Sequence, residues 1–258
     1  MAPNEPFLGK SGAGLYGDFV VETDDCIGGV LAALDAAGVA DDTLVIVTSD
    51  NGGLWHQWTP QEADDVAGYK PTPRAQETAQ HDHHSNADFR GTKADIWEGG
   101  HRVPFLVRWP ARVKPGVVNP ALVCLTDVLA TLAEIMGEPL PEGAGPDSQS
   151  FLAALDGATR ARSSVIHHSL NGTFAIRIGP WKLCGVRGSG GFSQPKVVKT
   201  KPGEPEGQLY HTKKDPRETT NLWLEEPDVV KRLQAALQLV QKFEAGNPGM
   251  LRKLKRGF

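Results

Sequence analysis

The chain has 258 residues, of which 40% are apolar, 22% charged and 7% aromatic, a composition that fits a soluble globular protein and excludes disordered, collagen-like and membrane-spanning classes. Its net charge of −4 and pI near 6.1 provide no basic face for a phosphate backbone, so nucleic acid is not an expected partner. Apolar runs such as 44–47 and 103–107 fall far short of the roughly 18 residues a membrane span requires.

Residues 1–10 lack a charged start followed by an apolar stretch, so no export signal is expected in the chain as it stands. After a glycine-rich opening, apolar residues recur at Leu15, Phe19/Val20, Ile27, Val30/Leu31 and Leu34, a step of about 3.6 that predicts a long amphipathic helix ending at Gly38. The run Thr43-Leu44-Val45-Ile46-Val47-Thr48 is β-branched and does not alternate, which suits a strand buried on both faces of a parallel α/β sheet. That strand ends in Ser49-Asp50-Asn51-Gly52-Gly53, at the carboxyl edge where open α/β sheets place their ligands.

Residues 54–86 are polar, punctuated by proline and non-periodic, and they hold His56, His81, His83 and His84; such a stretch reads as a functional or disordered loop. Arg90-Gly91-Thr92-Lys93 and Trp97-Glu98-Gly99-Gly100-His101-Arg102 precede a second buried-strand candidate at 103–110. Thr126 is placed to cap a helix carrying Val128, Leu129, Leu132, Ile135 and Met136 and stopped by Gly137. Proline and glycine gather at 138–150, which puts a boundary there and divides the chain into 1–140 and a smaller α+β unit, 141–258. The second unit reads as short strands at 164–169, 174–178, 181–186 and 208–211, a hairpin excursion or mobile loop at 188–207, and a final helix over 228–244.

Asp50 and Asn51 offer a carboxylate and a carbonyl oxygen, ligands for a hard cation such as calcium or magnesium. The same pair also suits a plain strand-to-turn junction. Lys93, on a glycine-containing turn after Arg90, is placed either to neutralise an oxyanion or to stand as a solvated cation. The spacing of His81, His83 and His84 fits no zinc helix. Cys26, Cys124 and Cys184 are odd in number and widely spaced, which predicts neither a disulfide framework nor a zinc cluster. The basic tail, Arg252, Lys253, Lys255 and Arg256, reads as a solvated end.

Taken together, the Tyr16-Gly17-Asp18 helix, the run 42–52 ending in Asp50-Asn51-Gly52, Arg90-Gly91-Thr92-Lys93 and Trp97-Glu98-Gly99-Gly100-His101-Arg102-Val103-Pro104-Phe105 closely resemble the type I sulfatases, the arylsulfatase family. The stretches 175–183 and 209–222 resemble that family's small antiparallel sheet and the link to its last helix. The resemblance implies an alkaline-phosphatase-like α/β/α sandwich, here partial, and hydrolysis of a sulfate ester by a formylglycine nucleophile with a divalent metal, calcium or alternatively magnesium. Residue by residue, it makes Asp50 and Asn51 metal ligands and Lys93 the catalytic residue that contacts sulfate, with His84 as a further substrate-binding residue; His101 receives no catalytic role. The partner implied is a sulfated small molecule or sulfated carbohydrate.

The chain departs from the family pattern at its nucleophile. No cysteine or serine stands in a C/S-x-P/A-x-R sequence, and the family's first aspartate pair and its His-x-Pro are missing. The chain therefore resembles the carboxyl-terminal half of a sulfatase and is expected to be inactive alone, with formylglycine in the amino-terminal half. A periplasmic or secreted location is implied if a signal lies upstream. The alternatives are a phosphodiesterase or phosphotransferase of the same superfamily, or a non-catalytic oxyanion-binding relic.

Overall fold

A computed structural model describes residues 3–54, 81, 83–159 and 161–244, with side chains to residue 240. Most of the 54–86 loop, His56, the basic tail and the side chain of Phe243 lie outside the described residues. A 3-10 turn at Glu5–Phe7 leads into helix α1 (Gly14–Ala36), strand β1 (Val45–Thr48), the one-turn helix α2 (Glu98–His101), strand β2 (Phe105–Arg108), helix α3 (Asp127–Met136) and short helix α4 (Leu152–Leu155). Strands β3 (Ser164–His168), β4 (Phe174–Ile178), β5 (Trp181–Cys184) and β6 (Gln208–His211) and helix α5 (Pro227–Glu244) complete the order. Among the described residues no helix is long and apolar enough to cross a membrane.

Helix α1 forms where the periodicity predicts and ends as glycine dictates. Gly38 adopts left-handed backbone at φ 68, and the N–H of Val39 reaches back to Leu34 O at 3.2 Å, which satisfies a last-turn carbonyl. Its apolar stripe is not covered, since Leu15, Val20 and Val30 remain about half exposed while only Gly17 and Asp18 are buried. Asp18 gathers the opening loop by accepting the N–H groups of Gly9 and Ser11 and the Ser11 hydroxyl, at 2.7–2.8 Å. These bonds hold its carboxyl below the usual range.

Two expectations for the first sheet are corrected. Strand β1 pairs with β2 antiparallel, Val45 opposite Arg108 and Thr48 opposite Phe105. The N–H of Gly52 donates to Gly100 O at 3.1 Å, which pins the entry of β2 beside the exit of β1, so the second strand must run back along the first. Nor are these strands buried on both faces: most of their residues are half-buried and Leu106 is 57% exposed. At α3 the cap differs as well. Thr126 makes no capping bond; instead Asp127 accepts the N–H of Cys124 at 2.8 Å and binds Arg162 at 2.9 Å. Gly137, at φ 73, terminates the helix as predicted.

Strands β3 to β6 form one antiparallel sheet in chain order. Alternation of side chains sorts them onto two faces. Ile176, Leu183 and Leu209 pack against Val230, Leu233, Ala236 and Leu237 of α5, so this face is apolar. The other face carries Ala175, Arg177, Lys182, Cys184, Gln208 and Tyr210, and it receives Ile96 and Trp97 from the chain just before α2. The loop at 188–207 also departs from expectation, for Gly188–Gly191 and Ser193 are buried rather than mobile.

That second face is polar because it buries charge in compensating pairs. Lys182 and Glu218 are both 0% exposed; Lys182 Nζ lies 2.9 Å from Glu218 Oε1 and 3.1 Å from Glu98 Oε1, and Arg177 binds Glu98 Oε2 at 3.1 Å. Burial pulls the Lys182 ammonium down, but the carboxylates of Glu218 and Glu98 outweigh it and hold the group above its ordinary value. Burial likewise raises Glu98, and Lys182 and Arg177 reverse the sign to leave it lowered. Arg90 stacks over Trp97, 3.8 Å from the ring centroid, and donates to Glu218 O at 2.8 Å and the Tyr210 hydroxyl at 3.1 Å. Trp97 Nε1 donates to Gln208 Oε1 at 2.9 Å. Trp97 thus serves the carboxyl-terminal sheet. Burial pushes the Cys184 thiol up to about 12, so it is chemically quiet.

His101 and His167 pack against each other with ring centroids 4.0 Å apart and planes tilted by 41°. Burial, followed by the Lys182 charge, lowers His101 to about 4, and the same causes take His167 well below its ordinary value.

Two outcomes follow from this interface. Replacing Lys182 with Met leaves Glu218 and Glu98 facing each other in a dry site, and is expected to lower the unfolding free energy by about 3–5 kcal/mol in urea titrations. The histidine pair is neutral when folded, whereas the unfolded chain takes up protons below about pH 6.5. Stability is therefore full above that pH and falls as pH drops toward 4, by up to about 1.4 kcal/mol per unit per histidine. Urea midpoints measured across this window should show the fall, and His101→Phe should make it shallower.

Candidate functional site

The end of β1 and the segment before α2 are laced together by backbone and short polar side chains. Gly53 N donates to Asn86 Oδ1 at 2.7 Å, and Asn86 Nδ2 donates to Gly91 O at 3.1 Å. The Thr92 hydroxyl lies within 2.5 Å of Gly53 O and 2.7 Å of Leu54 O, and Lys93 N donates to Gly53 O at 3.2 Å. Such an approach leaves no room for side chains: a Cβ on Gly52 would stand 1.7 Å from Gly99 O.

The backbone of Lys93 is thereby tied to Gly53, which follows the Asp50-Asn51 pair on the same strand end. Asp50 and Lys93 are exposed and Asn51 is half-buried. Asp50 Oδ1 accepts the N–H of Asn51 at 3.0 Å, which turns the carboxylate across the strand end, and the Ser49 hydroxyl donates to Asn51 O at 2.9 Å. Asn51 donates its Nδ2 to Gly52 O at 3.0 Å, so its carbonyl oxygen is the end turned away from the backbone. Both donors are hard oxygens of the kind that suits calcium or magnesium. Their type fits a divalent cation and their number does not complete its shell: among the described residues no group of three or more His, Cys, Asp or Glu could hold a metal.

His84 is exposed at the start of the turn that contains Asn86, with its carbonyl accepting Ala87 N at 2.9 Å. It stands two residues from the side chain that grips Gly53. His83 lies against Tyr16, ring centroids 5.4 Å apart. Arg90, the other cation of its motif, is buried in the interface with Trp97 and Tyr210 and faces away from solvent.

Sequence reasoning passed over three residues that shape this place. Asn86 and Thr92 make the bonds that fix Gly53. Asp95 is 0% exposed and accepts from Thr92 N at 3.0 Å, Phe192 N at 2.8 Å, Ser193 N at 3.0 Å and the Ser193 hydroxyl at 2.5 Å. Burial pushes its carboxyl up, against the opposing pull of these donors. The signal available was the small polar residues on either side of Lys93 in Thr92-Lys93-Ala94-Asp95; their partners 39 and 98 positions away in the chain were not readable.

Comparison with known proteins bears on this arrangement. The Sulfatase family profile matches residues 5–138 and the N-sulphoglucosamine sulphohydrolase C-terminal profile matches residues 92–243. An N-acetylgalactosamine-6-O-sulfatase of Bacteroides thetaiotaomicron is 36% identical over 93% of this chain and 44% of its own length. The steryl-sulfatase of Mus musculus is 39% identical over 64% of the chain and 24% of its own. A solved structure from a Bacteroides thetaiotaomicron glycosaminoglycan-metabolism locus superposes with a TM-score of 0.74 at 33% identity, covering 93% of this chain and 47% of that one. The fold alone is shared with a protein solved with its substrate D-glucosamine-2-N,6-O-disulfate, TM-score 0.61 at 21% identity, over 91% of this chain and 41% of that one. The chain spans less than half the length of the curated relatives it matches. Because the first profile runs through both the strand-end pair and the lysine tied to it, and covers more than half of the residues, this chain belongs to the sulfatase family and carries part of its alkaline-phosphatase-like fold.

Proposed function

We propose that this chain supplies one side of the active site of a sulfuric ester hydrolase acting on a sulfated carbohydrate. Asp50 and Asn51 are the metal ligands it contributes, and Lys93 is the cation that meets the sulfate group. The observation that carries this reading is the bond from Lys93 N to Gly53 O, which ties the anion-binding lysine to the strand end that bears both ligands. The reading is supported further by the family assignment and by the relative named for N-acetylgalactosamine-6-O-sulfate chemistry.

The chemistry resembles phosphoryl transfer, in which positioning and charge neutralisation do most of the work. A divalent cation held at Asp50 and Asn51 would draw charge from the sulfate oxygens. Lys93 adds a compact ammonium with three donors, suited to a tetrahedral anion that offers acceptors in several directions. Its backbone is fixed by Gly53, so only the side chain has to be ordered when the anion binds. His84, exposed at the same edge, is assigned to the sugar portion of the ligand. Formylglycine does not fit the residues present, because no cysteine or serine of the chain stands in the required sequence; no nucleophilic step is assigned to this chain.

The chain alone should bind N-acetylgalactosamine 6-sulfate in the presence of calcium without releasing sulfate. Lys93→Ala should weaken that binding by about 1.5–3 kcal/mol, roughly tenfold to a hundredfold, the value of a hydrogen bond to a charged group. Calorimetric titration measures the first and ion chromatography of free sulfate the second. Turnover by the chain alone, or unchanged affinity in Lys93→Ala, would contradict the assignment.

A further inference from the structure

We infer that Asp95 is a positioning residue of this site: its buried carboxylate locks the turn that carries Lys93 onto the Gly188–Ser193 loop, so that a loop from the far end of the chain sets where Lys93 meets an anion. The inference rests on the reading of Lys93 given above.

The argument begins with the donors. Asp95 accepts hydrogen bonds from four groups, one on its own turn and three on a loop 97 and 98 positions later. A carboxylate with no solvent exposure is costly unless its lone pairs are filled, and here each oxygen has two donors. The contact is reinforced on both flanks. Ile96 N donates to Ser189 O at 2.8 Å and Leu170 N donates to Ala94 O at 2.9 Å. A Cβ on Gly191 would come within 2.3 Å of Ala94 O, so the loop lies directly on the backbone beside Lys93. Ala94 itself is held at φ 78, a left-handed conformation that an alanine keeps only where its surroundings impose it.

From Asp95 the bonds continue to the site. The residue it holds, Thr92, places its hydroxyl on Gly53 O and Leu54 O, and Lys93 N shares the same Gly53 O. The path from Ser193 through Asp95 and Thr92 to Gly53 thus consists of direct contacts between fixed groups. Asp95 touches no ligand in this account; it acts through the position of Lys93.

The sign of its effect makes the inference testable. Asp95 carries the same charge as sulfate, so simple electrostatics predicts that Asp95→Asn strengthens anion binding. A positioning role predicts the reverse. Inorganic sulfate serves as the probe, titrated into the whole chain by calorimetry, with Lys93→Ala as the reference. Asp95→Asn should weaken binding by about fivefold to tenfold and should add nothing further in the Lys93→Ala background, the mark of two residues acting as one unit. Ser193→Ala, which leaves the three backbone donors in place, guards against a variant that fails to fold; it should weaken sulfate binding about twofold to threefold, and Ser193→Thr should restore it. Tighter binding in Asp95→Asn, or unchanged binding in both Asp95→Asn and Ser193→Ala when folding is intact, would overturn the positioning role. If Lys93→Ala leaves wild-type affinity unchanged, the reading of the site fails and the inference falls with it.

Discussion

Glu98 has almost no contact with water, and everything around the site depends on the charges that make this tolerable. A lone carboxylate there would be neutralised or would pull the segment out. Lys182 and Arg177, on neighbouring strands of the carboxyl-terminal sheet, meet it, while Lys182 also meets Glu218. The one-turn helix that begins at Glu98 is therefore anchored to that sheet by ions rather than by apolar area. Trp97 and Ile96 fill the remaining space. With this anchor set, the turn at 92–95 and the strand end at 50–53 have a fixed floor to assemble on.

The arrangement explains why two glycines matter so near a site made of polar groups. The strand end passes so close to α2 that Gly52 meets the Gly99 carbonyl, and the bond from Gly52 to Gly100 then reverses the second strand. The strand end that follows Asp50 and Asn51 and the turn that carries Lys93 are joined because backbone, rather than side chains, forms the contact. Flexible side chains would lose more conformational entropy for the same precision.

Much of this was legible beforehand. The 3.6-residue period located α1 and α5, turn glycines located the ends of α1 and α3, and the β4 and β6 limits were read residue for residue. Asp50, Asn51 and Lys93, the residues proposed for the site, could be singled out because short motifs carry them. What could not be read were facts set by distant partners. Period and composition of 44–48 say nothing of which neighbour pairs with it, so antiparallel pairing and half-burial were missed. Glycine, serine and proline at 188–207 resemble a mobile loop by composition, yet Asp95 holds the first part in place. The charge of Arg90 is visible in sequence, and its burial against Trp97 is not. Thr126 lost its capping role to its neighbour Asp127, whose carboxylate also answers Arg162.

The central claim is that the strand-end pair and Lys93 form a single preassembled place for a cation and an anion. Paramagnetic broadening of backbone amide signals by manganese, a hard divalent ion with the same oxygen preference as calcium and magnesium, tests it directly. The account predicts that the amides of Asp50, Asn51, Gly52 and Gly53 broaden first, that those of Thr92 and Lys93 follow at the same low metal concentration, and that Asp50→Ala abolishes the pattern. Broadening centred on another acidic stretch such as Asp41-Asp42, or a pattern that survives Asp50→Ala, would contradict it.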